Sequence, residues 1–301
     1  MFGKNQVVGQ KYFENAGDKL FVTSIFTTIQ GEGPLRGEPA VFVRFAKCQL
    51  TCFFCDTFFD DGDWLTKEEI AQRIDDSIQK HFNGNVPIWA KELWGGVAIE
   101  GEEPVEQGPL KKRNMALVVT GGEPMLQKNI GPFLKFMSAR FEKTQIESNG
   151  LIVQDIPSST ILVVSPKCSE KHGVSEKYLA PNPKMLERAD CLKFVMRADA
   201  DSPYSSIPEW AHEWRFRTNK PVFVSPMNIY NTLPQKSKQL RAEKNQISIE
   251  ERSTVDEVIS FWEEGLLDMK ANQRNHEYSA KYCLNHGFTF GVQIHLLASL
   301  A

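Results

Sequence analysis

The chain has 301 residues, of which 41% are hydrophobic and 24% charged, and its formal net charge is −3. That is enough apolar content for one substantial core, and the near-balanced charge offers no electrostatic footprint for nucleic acid. No run of about eighteen apolar residues occurs and the opening residues lack a secretory apolar core, so a cytoplasmic protein without a membrane span is expected.

In chain order, the run Leu20–Ile25 predicts a first strand, and Gln30-Gly31-Glu32-Gly33 a turn after it. Ala40–Phe45 predicts a second strand, followed at once by Cys48, Cys52 and Cys55. Thr66 to Glu69 reads as a capping box, and Ile70, Ile74 and Ile78 repeat at helical spacing behind it. Asn83–Asn114 has no clear period and reads as an insertion. Met115–Val119 is a third strand, closed by Gly121-Gly122-Glu123-Pro124, and Met125–Phe141 carries a helical apolar pattern. Further strands are predicted at Thr144–Glu147, Thr160–Val164, Leu192–Met196, Val222–Val224 and Phe288–Ile294. A second polar insertion is expected over Ile229–Arg252 and a helix over Ser253–Leu267. Strands alternating with helices predict an α/β fold of parallel βαβ units, as one domain over residues 1–301 with insertions near 83–114 and 229–252.

Six cysteines in a chain expected in the cytosol call for something other than disulfides. Cys48-x3-Cys52-x2-Cys55 follows a strand, where α/β folds place their function. Three close thiolates suit a 4Fe–4S cluster with one iron left open. A structural zinc site, closed by Cys168, Cys191, Cys283 or a histidine, is the other reading of the spacing.

The Gly121-Gly122-Glu123-Pro124 turn lets a ligand approach the backbone, and the carboxylate beside it suits an ammonium group. Gly101-Glu102-Glu103-Pro104 lacks the second glycine and lies in a polar segment. Glu147-Ser148-Asn149-Gly150 and Ser165-Pro166-Lys167 end two other strands, where Ser and Asn equally suit plain turns.

Cys48, Cys52 and Cys55 in this spacing, with Phe54 before the third cysteine and a GGEP turn downstream, resemble the signature of the radical S-adenosylmethionine (SAM) superfamily. The order Ile29-Gln30-Gly31-Glu32-Gly33, Gly37-x-Pro39, Phe42-Val43-Arg44, the cysteines, Asp56-Thr57 and Thr120-Gly121-Gly122-Glu123-Pro124 resembles the 7-carboxy-7-deazaguanine synthase family. The likeness runs from Ile29 to the C-terminus, outside the two insertions. It implies a partial, modified (β/α) barrel that binds a 4Fe–4S cluster, SAM and Mg2+. The implied reaction is ring contraction of 6-carboxy-5,6,7,8-tetrahydropterin to 7-carboxy-7-deazaguanine with loss of ammonia, in deazapurine biosynthesis of the queuosine type.

By the same resemblance, Cys48, Cys52 and Cys55 hold the cluster and Thr57 the magnesium. Phe54, Asp56, Gly121, Gly122, Glu123, Ser148, Ser165, Pro166 and Lys167 face SAM. Ile29, Gln30, Gly31, Glu32, Arg44, Thr120 and Ala301 bind substrate, and Glu147 and His295 are catalytic. Implied partners are an electron donor such as flavodoxin or ferredoxin and a second copy in a homodimer, with no nucleic acid and no membrane. The chain departs from the pattern at Lys47, where the family commonly has glycine, and in its greater length. Two other functions are open: a different radical SAM enzyme such as a glycyl-radical activase, or a non-catalytic metal-binding protein that docks partners through its insertions.

Overall fold

The computed structural model describes residues 5–55, 57, 59–91, 112–171, 173–230 and 267–294. The strands are β1 (Leu20–Ile29), β2 (Pro39–Phe45), β3 (Asp63–Leu65), β4 (Arg113–Gly121), β5 (Phe141–Ser148), β6 (Thr160–Val164), β7 (Cys168–Lys171), β8 (Val174–Tyr178), β9 (Cys191–Met196), β10 (Val222–Pro226) and β11 (Thr289–Phe290). The helices are α1 (Lys67–His81), α2 (Ile88–Lys91), α3 (Ile130–Ser138), α4 (Pro183–Arg188), α5 (Glu209–Thr218) and α6 (Met269–His286).

Nine strands form one sheet in the order β11-β10-β9-β6-β5-β4-β2-β1-β3, and β7 pairs with β8 in a separate hairpin. From β2 to β11 every neighbouring pair is parallel. The expected parallel arrangement fails at β1, which runs antiparallel to both β2 and β3. Residues 30–38 are too few for a parallel crossover, so β1 and β2 pair directly.

The two-residue side-chain period of the strands sorts their chemistry onto opposite faces. Val41, Val43 and Phe45 of β2, Leu117 and Val119 of β4, Leu192 and Phe194 of β9, and Val222 and Val224 of β10 join the main core. Ile70, Ile74 and Ile78 of α1, Phe133 and Met137 of α3, Trp214 of α5 and Cys283 of α6 belong to the same cluster. The alternate positions, among them Arg44, Thr120, Glu147, Lys193 and Ser225, therefore point to the other face.

Thr66 Oγ1 accepts from Glu69 N at 3.2 Å and Glu69 Oε2 accepts from Thr66 N at 2.7 Å, so the capping box forms as expected. The helix expected over Met125–Phe141 is shorter. Pro124–Leu126 forms one 3-10 turn, α3 begins at Ile130, and Phe141 already opens β5. The break falls at Gln127, whose backbone is extended (φ −72°, ψ 116°) and whose buried side-chain amide accepts from Phe21 N and donates to Ala46 O. The expected strand Phe288–Ile294 pairs only over Thr289–Phe290. The first insertion carries α2, and its last residues start β4. Most of the second insertion and of the expected helix Ser253–Leu267 lies outside the described residues; at their borders Tyr230 bridges Leu267.

Helix α6 was not expected, because its buried stripe is polar: Asn272, Asn275 and Ser279 precede Cys283. Asn272 Nδ2 donates to Ile229 O at 2.9 Å and Asn275 Nδ2 to Met227 O at 2.7 Å, which fixes the chain leaving β10. Among the described residues no helix is long and apolar enough to cross a membrane.

Candidate active site

A cavity of about 240 Å3 opens where the parallel strands end, on the face away from the main core. Cys48, Cys52 and Cys55 all line it, together with Phe54 and Thr57. All six cysteines are free thiols, and neither Cys168, Cys191 nor Cys283 lies on this wall. Among the described residues no group of three or more His, Cys, Asp or Glu side chains is gathered closely enough to hold a single ion. Burial pushes the Cys48 thiol up, with the Glu123 carboxylate adding to the effect. Burial also pushes Cys52 up to about 11, against the pull of the Lys167 ammonium.

The glycines of the second motif meet the cysteine strand. Gly121 has φ +121°, and a Cβ there would stand 2.2 Å from Phe45 O. A Cβ on Gly122 would stand 2.0 Å from Lys47 O. Gly122 N donates to Phe45 O and Glu123 N to Lys47 O, each at 2.8 Å. The GGEP turn is thus laced to the residue before Cys48, and only glycine permits the approach. Lys47 itself has φ 71°, the left-handed region that glycine adopts without strain. Its Nζ lies 2.6 Å from Asp60 Oδ1 in a mostly buried ion pair.

Glu123 is 1% exposed and accepts three hydrogen bonds: from Met125 N at 3.0 Å, Ser148 Oγ at 2.8 Å and Asn149 N at 2.8 Å. Beyond any ammonium contact, it ties the end of β4 to the end of β5. Burial raises its pKa although these donors oppose the shift. Lys167 Nζ donates to Ser165 O at 2.7 Å and Ser165 Oγ at 2.6 Å, and burial lowers its pKa.

On the remaining wall, the loop after β1 supplies Gln30 and Glu32, β2 supplies Arg44, β4 Thr120 and β5 Glu147. Arg44 lies over the Phe26 ring at 4.6 Å, which orients its guanidinium plane. Lys193 of β9, which the sequence reading missed, organises this wall. Its Nζ donates to Glu147 Oε2 at 2.6 Å and Glu32 Oε2 at 3.0 Å. Gln30 Nε2 and Gln145 Nε2 donate to Glu147 Oε1 at 3.2 and 3.1 Å. A lone lysine inside the apolar run Leu192–Met196 was the available signal. Glu170 of the β7–β8 hairpin was missed as well; it accepts from Phe53 N at 2.7 Å and steadies the cysteine loop. Ser225 Oγ, also on the wall, is buried with no hydrogen-bond partner among the described residues.

Three expected site residues, Ile29, Gly31 and Pro166, flank the cavity in sequence without lining it. Asp56, His295 and Ala301 lie outside the described residues.

No protein-family model matches the chain. Proteins named 7-carboxy-7-deazaguanine synthase do. The one from Rhodospirillum rubrum is 30% identical over 241 residues, covering 77% of this chain and 84% of its own. The one from Rickettsia prowazekii is 31% identical over 249 residues, covering 83% and 87%. The crystal structure of QueE from Escherichia coli aligns with a TM-score of 0.50 at 17% identity, covering 96% of this chain and 99% of that one. The last comparison concerns the fold, which is of the radical SAM type; the two sequence relatives decide the family. The chain belongs to the 7-carboxy-7-deazaguanine synthase family.

Proposed function

We propose that the chain contracts the ring of 6-carboxy-5,6,7,8-tetrahydropterin to 7-carboxy-7-deazaguanine, with loss of ammonia. The observation that carries this reading is the meeting of three thiols with an Arg44, Glu32, Glu147 and Lys193 wall across one cavity. Cys48, Cys52 and Cys55 would hold a 4Fe–4S cluster. The donor set fits, since three thiols share one wall without a fourth, and Leu50 N already points at Cys48 Sγ at 3.4 Å. Gly121, Gly122, Glu123, Ser148, Ser165 and Lys167 would hold SAM, and Thr57 a Mg2+ ion. Together, cluster and SAM supply the radical chemistry, for which the protein is a positioning frame.

The chain's own residues then have definite tasks. Arg44 presents a planar fork to the substrate carboxylate, held in orientation by Phe26. Lys193 holds Glu32 and Glu147 in place through its two ion pairs, so that both present acceptor oxygens to the N–H groups of the pterin edge. Gln30, tied to Glu147, adds an amide to the same edge. Phe42, Phe54 and Phe59 line the cavity and exclude water from it. A one-electron donor such as flavodoxin or ferredoxin and a homodimeric assembly complete the proposal.

The test is discrimination by the 6-carboxylate. Reconstituted protein should turn over the carboxylated tetrahydropterin and ignore the analogue with 6-methyl in its place. Arg44→Ala should raise KM about 100-fold, as expected for a lost charge-assisted pair. Equal turnover of both compounds would sink the reading.

A further inference from the structure

We propose that the segment Asn5–Phe13 is a clamp that holds the cysteine loop in its ligand-binding form, with Asn5 as the positioning residue. The proposal rests on the cluster reading above for its purpose, though not for its geometry. The described residues between Cys48 and Phe59 form neither helix nor strand, so their backbone groups need partners from elsewhere. Asn5 supplies two at once. Its Nδ2 donates to Thr57 O at 3.1 Å, and its Oδ1 accepts from Phe59 N at 3.0 Å. Thr57 O also accepts from Cys55 Sγ at 3.3 Å, so the grip reaches the third cysteine.

The same segment holds the other end of the loop. Val7 forms a parallel bridge with Cys48, and Val8 N donates to Cys48 O at 3.0 Å. The segment is itself anchored. Phe13 is 1% exposed and packs with Phe21, Ala46 and Leu126. Tyr12 stacks on Phe21 and on Trp64, with ring centroids 6.3 Å apart in each case, and Lys47 Nζ sits 5.5 Å from its ring. An aromatic anchor at one end and a bidentate amide at the other thus bracket Cys48 and Cys55.

The chemistry demands an amide. A carboxylate at position 5 has no donor for Thr57 O, and an alanine has neither group. Holoprotein with Asn5→Ala or Asn5→Asp should lose iron to an anaerobic chelator about tenfold faster than wild type, as expected for a lost pair of partly buried hydrogen bonds. In the iron-free protein, peptides covering residues 50–60 should exchange amide hydrogen faster in both variants, while peptides from the central strands exchange as in wild type and the melting temperature falls by no more than about 4 °C. The second measurement needs no cluster, so a wild type that binds none would defeat the functional reading and leave the clamp still decidable. Iron loss and loop exchange at wild-type rates in both variants would overturn the clamp.

Discussion

The Nζ of Lys193 lies 2.6 Å from Oε2 of Glu147, and the same nitrogen lies 3.0 Å from Oε2 of Glu32. Burial by itself would lower the lysine pKa, but the two carboxylates outweigh it and the net shift is upward. A raised lysine pKa gives stability that is complete below the unfolded value of about 10.4 and is lost as pH rises through the folded one. The contribution is therefore constant across neutral pH. Lys193→Met leaves Glu32 and Glu147 without the cation that bridges them. It should cost about 3–5 kcal/mol by denaturant unfolding at pH 8. The cost should shrink toward pH 5, as one stranded carboxylate takes a proton. A pH-independent cost would show that the ion triad is not its source.

Gly122 touches the backbone that leads into Cys48. Gly122→Ala places a carbon 2.0 Å from Lys47 O, and neither backbone can yield cheaply. The expected result is a loss of about 1–3 kcal/mol and sub-stoichiometric iron after reconstitution. Gly84→Ala is a useful contrast: its Cβ would meet nothing, so only its positive φ is strained and iron loading should be normal.

Lys47 stands in left-handed backbone and is paired with Asp60. Lys47→Gly relieves about 1–2 kcal/mol of backbone strain but strands Asp60. Asp60→Asn removes the charge partner of the lysine, leaving its hydrogen bond to Asp60 O. The double variant should be more stable than the two single changes predict, with a coupling of at least about 1 kcal/mol in a double-mutant cycle. Additive changes would mean that the ion pair does not offset the strain.

In the iron-free chain the Cys52 thiol is pushed up to about 11, chiefly by burial. The thiolate is the reactive form, so alkylation of Cys52 should accelerate about tenfold per pH unit between roughly pH 8 and 10. Lys167→Met removes the opposing ammonium and should slow alkylation at every pH in that range. A rate that levels off near neutral pH would contradict the account.

Much of this architecture is legible in the residues. The apolar run Thr160–Val164 is β6 residue for residue, because a strand covered by a core needs no other signal. The capping box fixed the start of α1, and the glycine pair marked a close backbone approach. What escaped has a common cause: the signal lay in tertiary partners. Helix α6 buries Asn272 and Asn275, whose worth depends on carbonyls of Ile229 and Met227, so it shows no apolar period. The β7–β8 hairpin is polar along its length, and its Glu170 acquires meaning only beside Phe53. Lys193 of β9 meets Glu147 of β5 and Glu32 of the loop after β1 only once the sheet is assembled, since these elements are not neighbours in it. The direction of β1 turned on the length of a loop rather than on composition.

The most direct measurement is an anaerobic incubation of the iron-reconstituted chain with SAM, dithionite, Mg2+ and 6-carboxy-5,6,7,8-tetrahydropterin, read by mass spectrometry. The account predicts 7-carboxy-7-deazaguanine from the wild type and none from Cys52→Ala. SAM cleavage with the pterin left intact, or binding of zinc in place of a cluster, would contradict it.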